Sequence, residues 1–129
     1  MRAPHRRLLA LASLFALALA LACKPAPPPD RDVPGGTAAL GPAAIQKYGC
    51  GTCHIIPGIP GANGRVAQPL LGFSDRSDIG GAIANTPEGL LKWIQDPQSL
   101  NRTARMPKLG VTDQDARDIA AYLYTLKTR

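Results

Sequence analysis

Cys50-Gly51-Thr52-Cys53-His54 places two thiols three positions apart and an imidazole directly after them. Thiols at this spacing can add across the two vinyl groups of a porphyrin to form thioethers, and the histidine that follows then lies beneath the ring with a nitrogen on the iron. The motif therefore assigns Cys50 and Cys53 to covalent attachment of a c-type haem and His54 to the proximal iron position. Two other chemistries use a Cys-x-x-Cys pair. A redox dithiol belongs to a thioredoxin-like alternation of strands and helices, and the sequence shows no such alternation. A zinc site needs about four protein ligands, whereas the chain adds to this cluster only Cys23 and His5, both near its start.

The second axial ligand follows by elimination. His5 lies in a segment expected to be removed, and of the two methionines one is the initiator Met1. Met106 is left as the thioether ligand, in Ala104-Arg105-Met106-Pro107-Lys108-Leu109-Gly110, where a proline and a glycine mark irregular backbone. A His/Met pair raises the reduction potential of haem iron and fills both axial positions. Such a centre passes electrons and is not an enzyme. The alternative is a haem enzyme or a gas or peroxide sensor with an open distal site, in which Met106 is structural.

Three helical segments must position these groups. The first opens at Gly41-Pro42, with proline in the first turn, and runs through Ile45 and Tyr48 into the Cys50 to His54 motif. The second has Thr86 as cap, then Pro87 and Glu88 at the positive helix start, with Leu90, Leu91 and Ile94 on one side, and stops at Asp96-Pro97. The third has Thr112 as cap with Asp115 three residues on. Its buried face is Ala116, Ile119, Tyr122 or Leu123, and Leu126. No stretch alternates as a strand would, so the fold class is all-α. Aromatics make up only 5% of the residues, so the macrocycle is expected to supply the missing apolar bulk, as a staple does in other small scaffolds.

Cys50 to His54, the Met106-Pro107 loop and the closing Ala121-Tyr122-Leu123 resemble a class I cytochrome c over nearly the whole of 41–129. That resemblance implies a small cytochrome c fold, with the first and last helices crossing near one haem and the middle helix flanking it. It implies further that the carbonyl of Pro69 accepts the Nδ1 proton of His54, and that Arg65 and Trp93 hydrogen-bond a propionate. Gln68 stands where the family usually has glycine. The helix from Asn85 to Pro97 resembles small cytochromes that serve respiratory oxidases. The partners so implied are a terminal oxidase and an upstream quinol-oxidising complex.

Residues 1–22 read as an export signal, with Arg2, Arg6 and Arg7 before an apolar stretch from Leu8 to Ala22. That stretch is shorter than the roughly 20 residues that span a bilayer. Export suits haem attachment, which the resemblance places outside the cytoplasm, in the periplasm or cell envelope. Cys23 follows Ala20-Leu21-Ala22, which resembles a lipobox with alanine in place of leucine. The same residues also satisfy the small-x-small rule of ordinary signal peptidase. Lipid on Cys23 would tether the protein to a membrane surface; otherwise Cys23 is a free thiol. Residues 23–40 read as a Pro-rich linker and 41–129 as the folded domain.

The 15 Lys and Arg against 9 Asp and Glu give a net charge of +6, which falls to +3 once the three signal arginines are removed. That balance argues against a nucleic-acid partner. Lys47, Lys92, Arg102, Arg105 and Lys108 are the cations expected to surround the haem edge and steer an acidic partner.

Overall fold

The computed structural model describes residues 31–128, so the expected export signal and Cys23 lie outside the described residues. The class is all-α, as the sequence indicates. Helix α1 spans Gly41–Lys47, α2 Pro87–Gln95, α3 Pro97–Leu100 and α4 Asp113–Leu123, with 3-10 turns at Ala38–Leu40, Cys50–Thr52 and Phe73–Asp75. No helix among the described residues is long and apolar enough to cross a membrane.

The caps read from the sequence form as anticipated. Thr86 accepts a hydrogen bond from the Gly89 amide at the start of α2, and Thr112 accepts one from the Asp115 amide at the start of α4. Each satisfies one of the amides that a helix start leaves without a partner. The first helix is shorter than expected. It ends at Lys47 because Gly49 turns left-handed (φ 67°), and the haem motif is wound as a separate 3-10 turn. Leu126 lies beyond α4 yet packs against the core.

Two elements were not anticipated. Asp96-Pro97, read as a stop, also starts α3, with the Asp96 carboxylate accepting from the Ser99 amide. Proline needs no hydrogen-bond partner for its nitrogen, so it suits a first helical position as well as an ending. The other is an antiparallel ladder, β1 (Asp78–Ile79) with β2 (Ile83–Ala84), in register Asp78↔Ala84 and Ile79↔Ile83. Gly80 and Gly81 both have positive φ between the strands, as a tight hairpin requires. Strands of two residues are too short to show alternation.

The core gathers where α1, α2 and α4 meet, around Ile45, Leu90, Ala116 and Ala120, all essentially inaccessible to solvent. Helices α1 and α4 cross closely. A Cβ on Gly41 would stand 2.4 Å from the Tyr122 Cβ and 2.7 Å from the Asp118 carbonyl oxygen, so glycine is needed there for the approach.

The N-terminal boundary needs correction. The expected linker includes residues 31–40, yet Val33 is only 4% exposed. This segment is fastened to α4: the Thr37 amide donates to buried Asp118 at 2.7 Å, Gln114 to the Gly35 carbonyl at 2.9 Å and Arg117 to the Pro34 carbonyl at 2.9 Å. Composition missed it because a single valine and backbone polar groups make these contacts.

Asp115 ties α4 to α1 directly. Its carboxylate accepts from Lys47 at 2.8 Å and from the Tyr48 hydroxyl at 2.6 Å. These bonds, the ammonium first, hold its pKa down at about 2, against an ordinary 3.8. A carboxylate lowered in the folded state adds stability above its unfolded pKa and loses it as pH falls toward the folded one. Asp115→Asn should therefore unfold at a lower temperature than the wild type near neutral pH. The gap between their thermal midpoints should close as pH falls from 3.8 to about 2; a gap that stays constant would contradict the assignment.

Candidate haem site

The Cys50 carbonyl accepts from the amides of Cys53 (3.3 Å) and His54 (3.1 Å), winding the motif into one tight turn. In 3-10 geometry side chains three apart fall on one side, which brings the two thiols together. Cys50 and Cys53 are half-buried and not joined to each other. Burial pushes the Cys50 thiol up, opposite to the lowered pKa of a reactive dithiol.

A second backbone segment runs beside this turn. The Gly64 amide donates to the Gly51 carbonyl, those of Val66 and Ala67 both donate to the Cys53 carbonyl, and Ile55 bridges Asn63. From this segment comes the acceptor for His54: its Nδ1 lies 2.7 Å from the Gln68 carbonyl oxygen. The expectation of Pro69 is off by one residue, since the Pro69 carbonyl instead accepts from Arg76. With Nδ1 engaged by a carbonyl, Nε2 is the nitrogen left to bind a metal, and such a bond strengthens it as a ligand.

Met106 is half-buried in the loop between α3 and α4. Gln98 holds that loop by donating to the carbonyls of Ala104 (3.1 Å) and Met106 (2.5 Å), and Lys108 closes it onto Asp96 at 2.6 Å. Its end is tied back toward the motif where the Thr112 amide donates to the Tyr48 hydroxyl. Cys50, Cys53 and His54 thus share one turn, while Met106 comes from a separate loop. Of the residues implied for a propionate, Arg65 is exposed, and Trp93 is half-buried with its ring edge where a Cβ on Gly80 would be only 2.6 Å away.

The basic cluster is partly neutralised. Lys47 pairs with Asp115, Lys92 with Glu88 and Lys108 with Asp96, leaving Arg102 and Arg105 exposed in the Met106 loop. Sequence reasoning missed Gln98 and Arg76. Both act on backbone carbonyls, so no complementary side chain marked them.

The residues present fit a covalently held macrocycle. The loop that supplies the His54 acceptor also leaves Val66 82% and Leu71 56% exposed, and the Met106 loop leaves Leu109 39% exposed. Large apolar side chains kept out of the core on these two loops offer a surface that a flat apolar group would cover.

Family comparison agrees with the geometry. The cytochrome c family model matches residues 38–127, and the chain belongs to that family as a class I c-type cytochrome. Its cofactor is one covalently bound haem c. It is 34% identical over 89 residues to cytochrome c oxidase subunit 2 of Alkalihalophilus pseudofirmus, covering 67% of this chain and 25% of that one. It is 31% identical over 88 residues to cytochrome c oxidase subunit 2 of Bacillus sp. (strain PS3), covering 65% and 25%. The chain thus spans about a quarter of the length of these relatives. Cytochrome c2 from Rhodobacter sphaeroides shares the fold, with a TM-score of 0.50 at 21% identity, over 73% of this chain and 98% of that one.

Gly64 is where the two segments of the site touch. A Cβ there would lie 2.2 Å from the Thr52 carbonyl oxygen and 2.6 Å from the Cys53 amide nitrogen. Backbone cannot yield as a side chain does, so Gly64→Ala should cost about 1–3 kcal/mol of stability and shift the urea midpoint of the holoprotein accordingly. An unchanged midpoint would show that the segments are not pressed together there.

Proposed function

We propose that this chain is a mono-haem shuttle for single electrons in a bacterial respiratory chain, with Cys50 and Cys53 forming the thioethers and His54 and Met106 as axial ligands. The observation that carries this reading is the His54 ring, held by the Gln68 carbonyl at Nδ1 within one turn of two unpaired thiols. When bound, the haem supplies the ferric/ferrous couple. The chain's own residues fix the imidazole tautomer, present the Met106 loop to the other axial position and exclude water with the apolar side chains of the two loops. Arg65 and Trp93 would bind a propionate. With both axial positions filled, no site for oxygen or peroxide remains, which separates a carrier from an enzyme.

The proposed acceptor is a terminal oxidase and the donor an upstream quinol-oxidising complex. Support comes from the two relatives named as oxidase subunits and from Arg102 and Arg105 beside Met106, free to meet an acidic surface. Export to the periplasm and lipid on Cys23 complete the proposal. A second reading, a haem subunit bound within a larger oxidoreductase, is favoured by the match to a quarter of an oxidase subunit. Co-purification of stoichiometric partners from detergent extract would decide for it.

Ligation by Met106 predicts a weak absorption at the red end of the ferric spectrum, from sulfur on iron. Met106→Ala should abolish that band, lower the reduction potential and admit carbon monoxide to the ferrous protein, which the wild type should exclude. Rapid carbon monoxide binding by the unmutated protein would refute the axial assignment.

A further inference from the structure

Residues 68–71 offer their backbone groups to two sides. The Gln68 carbonyl accepts from His54 Nδ1, and the Leu70 amide donates to the Ile55 carbonyl at 2.8 Å. The carbonyls of Pro69 and Leu71 accept instead from a single nitrogen of Arg76, Nη2, the latter at 3.2 Å. A guanidinium on carbonyls makes charge-assisted bonds, roughly twice as strong as neutral ones, so this loop is gripped between the haem motif and Arg76.

Arg76 is itself immobilised. Its carbonyl accepts from Asn85 at 3.1 Å and from Arg31 at 3.0 Å, and its guanidinium lies 5.5 Å from the centre of the buried Phe73 ring. Asn85 is buried and fixed in turn, donating to the Phe73 carbonyl and accepting from the Tyr124 hydroxyl at 2.9 Å. Gly72, between the gripped carbonyls and Phe73, turns left-handed (φ 59°). A rigid wall therefore stands behind the loop.

We infer that Arg76 is the positioning residue for His54: by pinning the carbonyls of Pro69 and Leu71 it aims the Gln68 carbonyl, and so fixes the tautomer and tilt of the imidazole. This rests on His54 being the proximal ligand, as proposed above. Proline at 69 has no amide to offer the loop, so the carbonyls on either side of Leu70 are the available handles, and one fixed cation takes both.

The test is the solvent exchange rate of the His54 Nδ1 proton, followed by NMR in the ferrous holoprotein. Arg76→Ala should speed exchange on the order of tenfold or more, because local opening no longer breaks two charge-assisted bonds. The His54 ring protons should keep the large upfield displacement of a coordinated imidazole. Asp113→Asn, which removes only the exposed pair with Arg117 on α4, should leave the exchange rate unchanged. If Arg76→Ala yields no holoprotein, Arg76→Lys is read in its place. It keeps the charge but is a point donor without the planar fork, and should also exchange faster. An unchanged rate in the Arg76 variant, or equal acceleration in Asp113→Asn, overturns the inference. A wild-type spectrum without displaced imidazole protons refutes His54 ligation itself, and the role of Arg76 falls with it.

Discussion

The closeness of α1 to α4 is the constraint on which the site depends. The haem motif begins just after α1, so wherever that helix lies, Cys50 and His54 follow. Three contacts fix the pair along its length: Gly41 against Tyr122 and Asp118, Lys47 and Tyr48 on Asp115, and the Tyr122 hydroxyl on the Pro57 carbonyl at 2.6 Å. The last lies beyond the motif, so the turn carrying the thiols is held to α4 from both sides. A side chain at position 41 would part the helices and shift all three.

What the sequence made legible was chemistry with a fixed spacing. The Cys50 to His54 run and the threonine caps at 86 and 112 each need a particular residue at a particular offset, and both caps are found where expected. Illegible features share a different physics. The pairing of His54 with Gln68 rather than Pro69 depends on the path of an irregular loop, which no periodic pattern encodes. Helix α3 was hidden because Asp96-Pro97 ends one helix and begins another with the same two residues. The segment 31–40 looked like a tether because its contacts are made by amides and carbonyls, which composition does not register.

The same backbone-directed bonding explains how so irregular a chain holds the two loops of the candidate site in place. Gln98 grips the Met106 loop and Arg76 the loop after His54, each through a pair of carbonyls. Each grip supplies donors to carbonyls that a helix or sheet would otherwise have paired. The loops thereby gain definition without regular structure, and their apolar side chains remain outside the core, free to meet the cofactor.

The ion pairs bear on how a partner is met. An exposed pair contributes little to stability, so Lys92, paired only with Glu88, can exchange its carboxylate for a partner's at small cost, whereas Lys47 and Lys108 hold helix and loop in place. At a distance, however, each pair presents a dipole whose field fades faster than that of a lone charge, and salt screens it within about 10 Å. In the proposed docking, long-range steering then falls to Arg102 and Arg105, exposed in the Met106 loop and without an ion pair among the described residues. Orientation of the proposed docking is in this way concentrated at the methionine loop, and Lys92 acts only once surfaces touch.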